Sequence, residues 1–465
     1  MDKLANYLNV SDAGKSLHKL ATQLGATEFA QVRNLDYVLS PFDLYPLTPK
    51  VQPPLQRIVA FAVDMDGTST TTEPLALHAL EYMVRRITGR LEKSQWSGLD
   101  PKLDYPHVIG NSNFRHTEFL VQRHEKHIDT AAFCQAYFEA VCWTLACMDD
   151  PQRRRDVILN ARNCGLSDLL ADREFQTLIK SGRVDSDSVD KLIGPAMRKY
   201  GSAFRAKDGS ERTAAALDIY YLRYHSILRE LERGQGARLA AELLGPGSGR
   251  LVEPMPGYDV FVPLVRGWLG DEIDALYEPL RAYLLDRAEL RYTAAQLDAW
   301  RPRLRKLAAH FQHRPARLSL VTASIAYETH ACMKEIVQVM AEHVRDWPVP
   351  QEVRDRLDEN LADYLKVYDG FVCASDTWEA RLKPHRDLYS LALFQMSIPK
   401  TDYKYVVGLE DTEPGIIALR AAGIGCAVAL PNHDTSRQNY TAATKTIRGG
   451  LPELMLAKNL LLANR

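Results

Sequence analysis

An apolar run from Ile58 to Val63 ends abruptly in Asp64-Met65-Asp66-Gly67-Thr68. A short apolar segment bounded by turn residues predicts a buried strand. Two carboxylates two residues apart then stand at its C-terminal edge, over the crevice where open α/β sheets take ligands. One of them can serve as nucleophile and the other as proton donor, and both can help hold a hard cation.

Residues 1–40 read as one or two polar helices. The proline-rich stretch Ser40–Pro54 reads as an extended lead-in to the first core strand. Pro74 opens a helical pattern through Leu75, Leu77, Leu80, Met83 and Val84. From there to about Arg317 the spacing of apolar residues predicts helices, among them Thr117–Met148, Val184–Tyr200, Glu211–Glu232 and Asp271–Leu290. Strand patterns return at 318–324, 370–374, 404–412 and 425–430, alternating with helical segments. That alternation predicts an α/β fold, with a parallel sheet assembled from both ends of the chain around a helical insertion. The expected domains are a helical extension at 1–56, a discontinuous catalytic core at 57–73 and 312–465, and a helical cap at 74–311.

A chain of 465 residues, 46% hydrophobic and 25% charged, has ample material for more than one core. Its 58 basic and 59 acidic residues leave a net charge of -1, which argues against broad binding to nucleic acid or anionic membrane. Seven scattered cysteines without a CxxC pair predict buried thiols in a reducing compartment. No apolar run is long enough for a membrane span, and a cytoplasmic protein is expected.

Four signals follow one another: Asp64-x-Asp66-Gly67-Thr68, Thr322-Ala323-Ser324, Lys383-Pro384 and Glu410-Asp411. Together they supply what transfer of a phosphoryl group from a monoester requires. A carboxylate nucleophile splits one hard step into two. A second carboxyl protonates the leaving oxygen and then activates water. Lysine, hydroxyl and backbone N–H groups hold the phosphoryl oxygens, and Mg²⁺ offsets the repulsion between anions. Each signal alone has a plainer reading. Asp-x-Asp-Gly is a common solvated turn, Thr322 a helix cap, Lys383 a surface lysine, and Glu410-Asp411 an acidic helix start.

As an ordered set, the signals resemble the haloacid dehalogenase-like (HAD) superfamily, and within it the subfamily of β-phosphoglucomutase and phosphoglycolate phosphatase. Asp64–Thr68 matches its first motif and Thr72-Glu73-Pro74-Leu75 the entry to its cap helix. Thr322 matches the second motif. Lys383–Tyr389 matches the third, with Arg386 where a proline usually stands, and Glu410–Gly415 matches the fourth. Ala421-Ala422-Gly423, the strand ending at Leu430, and Ala442–Leu454 follow the family's closing strand and helix.

The resemblance implies a Rossmann-like core and a set of roles. Asp64 is the nucleophile and Asp66 the general acid/base. Thr322 and Lys383 bind the phosphoryl group. Mg²⁺ is held by Asp64, the Asp66 carbonyl and Asp411, with Glu410 in support. Gly67, Thr68, Ala323 and Ser324 lie against the substrate. In the cap, His107–Leu120 resembles the family's substrate loop, which makes Gly110, Asn111, Ser112, Asn113 and Arg115 candidate contacts; an ordinary capped helix is the plainer reading. His78 is a further candidate, or a structural histidine. The run Arg153-Arg154-Arg155 reads as a solvated face, and Tyr220, Tyr221 and Tyr224 as helix packing.

The expected activity is hydrolysis of a small phosphorylated metabolite. Alternatives are a phosphomutase, a weakly active protein whose cap binds a partner, and a phosphonate hydrolase whose usual cap lysine has no clear counterpart. The insertion between Asp64 and Thr322 is far larger than the family's usual cap.

Overall fold

The structure is a computed structural model that describes residues 13–34, 38–110, 112–181, 186–377, 381–457 and 460–463. It has two compact units. The first comprises 1–70, 254–325 and 336–465, and the second 71–253 with 326–335.

The first unit is built on a six-stranded parallel sheet. Its strands are β3 (Ala60–Asp64), β4 (Arg317–Val321), β5 (Gly370–Val372), β6 (Val406–Glu410), β7 (Cys426–Ala429) and β8 (Lys445–Thr446), in the order β5-β4-β3-β6-β7-β8. Every residue of β3, β6 and β7 is buried. Strands covered on both faces are apolar throughout rather than alternating, which is why the sequence shows them as short unbroken runs. The α/β class, the parallel sheet and its assembly from both ends of the chain are as the sequence predicts. The two-residue β8 falls inside Ala442–Leu454, the stretch matched to the family's closing helix.

From β3 the chain order runs outward in both directions, so β3 is the switch point of the sheet. Its register fixes what stands there. Asp64 pairs with Val321, and Val63 with Leu409. The residues that follow β4 and β6, Thr322 and Glu410-Asp411, therefore emerge beside the Asp64 turn. The sheet needs one close approach: a Cβ on Gly408 in β6 would lie 2.6 Å from Leu419 Cδ1.

Two expectations are corrected. Residues 254–311, assigned to the cap by periodicity, belong to the sheet unit. The reason is aromatic packing: Phe61 of β3 meets Phe261 with ring centroids 5.1 Å apart and Phe311 at 6.0 Å. Nor is the extension at 1–56 wholly helical. After a helix at Ala13–Leu24 it forms an antiparallel pair, β1 (Glu28–Arg33) and β2 (Phe42–Leu47). Ala30, Val32 and Leu47 bury themselves with Tyr45 against Ile417, Ala421 and Ala442.

The second unit is helical. Its helices include Glu73–Thr88, Asn113–His124, Thr130–Cys147, Pro151–Asn163 and Gly209–Glu232. The single helix expected over Thr117–Met148 is broken near residue 125, and Asp129 caps the second piece through the Ala132 N–H. Arg153 contradicts the expected solvated face. It shares one helix face with Val157 and Ala161 and is buried with them. Its guanidinium donates to Asp218 at 2.6 Å and lies 4.0 Å over the Tyr221 ring. Asn160 donates to the other Asp218 oxygen at 3.0 Å. Tyr220, Tyr221 and Tyr224 pack between helices as expected, with Tyr220 stacked on Tyr224 at 5.7 Å. No helix among the described residues is long and apolar enough to cross a membrane.

Gly408→Ala is expected to cost about 1–3 kcal/mol of stability by overpacking, read as a lower urea midpoint. Adding Leu419→Ala should return part of that loss. A Gly408→Ala chain as stable as the parent contradicts the packing described.

Candidate active site

The chain leaves β3 in a tight turn. Ser69 and Thr70 N–H groups both donate to the Met65 carbonyl, and the Ser69 hydroxyl donates to the Asp64 carbonyl at 2.6 Å. Gly67 has φ +79°, and a Cβ there would lie 2.8 Å from Asn432 Nδ2. Only glycine meets both demands without strain. The turn fixes the Asp64 side chain, 4% exposed, inside the sheet's C-terminal edge.

Two strand ends and the loop that carries Lys383 converge on it. Lys383, 6% exposed, is ion-paired with Asp64 and lies 2.7 Å from Glu410 Oε1. Glu410 is fully buried, and each of its oxygens has partners. Oε1 also accepts from Tyr389 OH at 2.7 Å. Oε2 accepts from the Thr412 hydroxyl at 2.9 Å and the Thr412 N–H at 3.2 Å. Asp411 accepts from the Thr68 hydroxyl at 3.1 Å and from Asn432 Nδ2 at 2.9 Å, while Tyr440 OH donates to its carbonyl. On the β4 side, Asp66 Oδ2 accepts from the Thr322 hydroxyl at 2.8 Å and the Ser324 hydroxyl at 3.2 Å. The Thr322 hydroxyl accepts the Ser324 N–H in turn. Ala323 lies between them, half-buried.

The electrostatics are lopsided. Burial, then Glu410, Asp411 and Asp66, push the Asp64 carboxyl well above the ordinary carboxylate range, against the pull of Lys383. Burial opposes the charge on Lys383, but Asp64 and Glu410 outweigh it and hold the ammonium more firmly protonated than usual. One ammonium thus faces three buried carboxyl groups. Asp64, Glu410 and Asp411 each offer an oxygen, all within 4.8 Å of one another. An all-oxygen donor set with surplus negative charge suits a hard divalent cation. The Asp66 side chain is not in that group, which leaves only its carbonyl for the role expected of it. Glu410, with its donors already placed, fits the supporting position.

The structure therefore brings together Asp64, Asp66, Gly67, Thr68, Thr322, Ser324, Lys383, Glu410 and Asp411. It adds Asn432, Tyr389 and Tyr440. Tyr389 stands within the third motif; Asn432 and Tyr440 belong to a loop with no pattern that marks them. In the second unit, Ser112 caps the helix Asn113–His124 by accepting the Arg115 N–H, and Asn113 donates to Tyr221 OH at 3.2 Å. That is the ordinary capped helix; Asn111 lies outside the described residues. His78 accepts from Arg223 Nε at 3.1 Å, the structural alternative for that residue.

No family model matches the chain, and no curated protein does. Among solved structures, CbbY from Rhodobacter sphaeroides in complex with phosphate is similar with TM-score 0.37 and 13% identity, over 86% of this chain and 100% of that one. A variant of CbbY holding xylulose-1,5-bisphosphate gives 0.37 and 13%, over 87% and 100%. A candidate β-phosphoglucomutase from Thermotoga maritima gives 0.28 and 14%, over 86% and 97%. These scores are too low to carry the chemistry, which rests on the residues themselves.

Two predictions follow from the charges. Lys383→Met is expected to destabilise the metal-free protein by about 3–5 kcal/mol, because it strands buried carboxylates. Asp64→Asn should leave stability unchanged or raised, since it removes one of the crowded charges. Urea midpoints in chelator decide, and a destabilising Asp64→Asn contradicts the repulsion. For His78, burial and then Arg223 lower the pKa to about 4. The unfolded chain then binds the proton first as pH falls, so stability is lost as pH drops from 6.5 toward 4. His78→Gln should flatten the thermal midpoint across that window.

Proposed function

We propose that the chain is a Mg²⁺-dependent phosphatase of the HAD superfamily, acting on a small phosphorylated metabolite through an aspartyl phosphate. The observation that supports it best is the meeting of Asp64, Lys383 and the Glu410-Asp411 pair at the switch point of a parallel sheet. Seven buried cysteines, none in a disulfide, suit the cytoplasm, where thiols stay reduced.

In this reading an Asp64 oxygen attacks phosphorus, and the bond to the leaving oxygen breaks as Asp66 delivers its proton. Asp66 then takes a proton from water, which attacks the aspartyl phosphate. Phosphate leaves and Asp64 is restored. The Ser324 hydroxyl fixes the Asp66 carboxyl for both transfers. Lys383 holds a phosphoryl oxygen, as does the Thr322 hydroxyl once substrate draws it from Asp66, and Gly67, Thr68 and Ala323 lie against the same group. Mg²⁺, held by Asp64, the Asp66 carbonyl and Asp411 with Glu410 in support, supplies charge neutralisation between the two anions. Asn432 keeps Asp411 turned to its task. The second unit acts as the cap, with Asn113 and Arg115 contributing to substrate choice.

The test is inorganic phosphate release from an aryl phosphate and a panel of phosphorylated metabolites, with Mg²⁺ and with chelator. Release should need Mg²⁺ and fall by at least about a thousandfold in Asp64→Asn. Asp66→Asn should slow both half-reactions. Conversion of a sugar phosphate to its isomer without phosphate release would reassign the site to a mutase. Release that is indifferent to chelator and to Asp64→Asn would defeat the proposal.

A further inference from the structure

The helix Ala294–His313, in the first unit, carries two sets of basic residues with different surroundings. Arg301 and Arg305 are neutralised together: each donates to Asp274 at 2.6 Å. Arg303, Lys306 and His310 fall on another face, at spacings of three and four residues that bring them into one row, and Arg314 continues it. This second row lines a cavity of about 310 Å³ in which no described side chain is a carboxylate. Among the described residues, Arg303, Lys306 and Arg314 make no ion pair.

Gln56 adds one amide to the wall, and the remaining side chains are apolar. Leu307 comes from the same helix, and Leu454 and Met455 from the helix Gly450–Leu456. The segment 460–463 closes another side. It is pinned to Leu55, whose N–H donates to the Leu461 carbonyl and whose carbonyl accepts the Ala463 N–H, both at 2.8 Å. At this wall His310 Nε2 is buried and has no hydrogen-bond partner. A buried ring nitrogen left without a partner costs stability unless a ligand or water supplies one.

Cations with no counter-ion among the described residues, above a largely apolar floor, are complementary to one kind of small molecule, an anionic head on an apolar body. A volume near 310 Å³ is at the lower end of what small-ligand sites enclose. Guanidinium groups pair with carboxylate and phosphate through two parallel hydrogen bonds, and the leucines would take the chain. We propose that this cavity is a binding site, separate from the Asp64 centre, for a small amphiphile bearing a carboxylate or phosphate head, which Arg303, Lys306 and Arg314 bind by charge and His310 by hydrogen bonding.

The site can be tested without knowing the natural ligand. Decanoate, decyl phosphate, decanol and decylamine would be titrated calorimetrically into the full chain carrying Asp64→Asn, so that no ester is turned over. The two anions should bind saturably at one site, decanol far more weakly and decylamine not at all; the stronger anion names the head group. Arg303→Ala with Lys306→Ala should weaken anion binding at least about tenfold. Arg303→Glu with Lys306→Glu should abolish it and admit decylamine. Lys306 is exposed and Arg303 half-buried, and an unchanged thermal midpoint verifies folding. No saturable binding of either anion, equal binding of anion and amine, or affinity indifferent to both pairs would overturn the assignment. Because phosphate release by the unsubstituted chain is measured separately, failure here leaves the proposed reaction untouched.

Discussion

Everything at the candidate site turns on an unbalanced charge. The sheet's register delivers three carboxylates to one buried edge and only one ammonium to meet them. In a medium that solvates charge poorly, such crowding is unfavourable unless each group is held by hydrogen bonds. Glu410 is held by four donors, Asp411 by Thr68 and Asn432, and Asp64 by Lys383. In the reaction proposed above, the remaining negative charge sits where a cation and an anionic phosphoryl group would meet. The same imbalance that makes the site costly to fold makes it receptive.

Much of this was legible in the chain because it is local. A buried parallel strand is a continuous apolar run, so β3, β4, β6 and β7 are visible as words, and the polar residues that end them are visible as punctuation. Lys383 and Thr322 became interpretable only through their order relative to Asp64. Asn432 and Tyr440 were not legible, because a loop residue that orients a carboxylate from across the sheet leaves no periodic trace. Periodicity also says that a helix has an apolar face, but not what the face will meet. That is why residues 254–311 were placed with the insertion, when Phe261 and Phe311 in fact pack on Phe61.

Charge runs mislead for a related reason. Arg153 stands among three arginines, yet the helix turns it alone toward Asp218 and Tyr221. Arg420 is a parallel case. It is 1% exposed in the helix Glu413–Ala422, where it donates to the Thr48 and Ala442 carbonyls and pairs with Glu28. A residue type that is mostly exposed thus ties the N-terminal β1–β2 pair to the closing part of the sheet unit. The additional residues before β3 are in this sense part of the core unit's wall.

The two units are threaded through each other in sequence. The second unit, begun at residue 71, is completed only by 326–335, after β4 has been made. Within it, buried His225 faces Glu328 at 3.0 Å, so the histidine lacks its carboxylate until that late segment arrives. On a ribosome, where domains tend to fold as they emerge, neither unit can reach its finished form before most of the chain has been synthesised. The insertion is therefore not a module that matures first and waits. Its His225–Glu328 contact and the first two strands of the sheet become available within a few residues of each other, which ties completion of the one to the onset of the other.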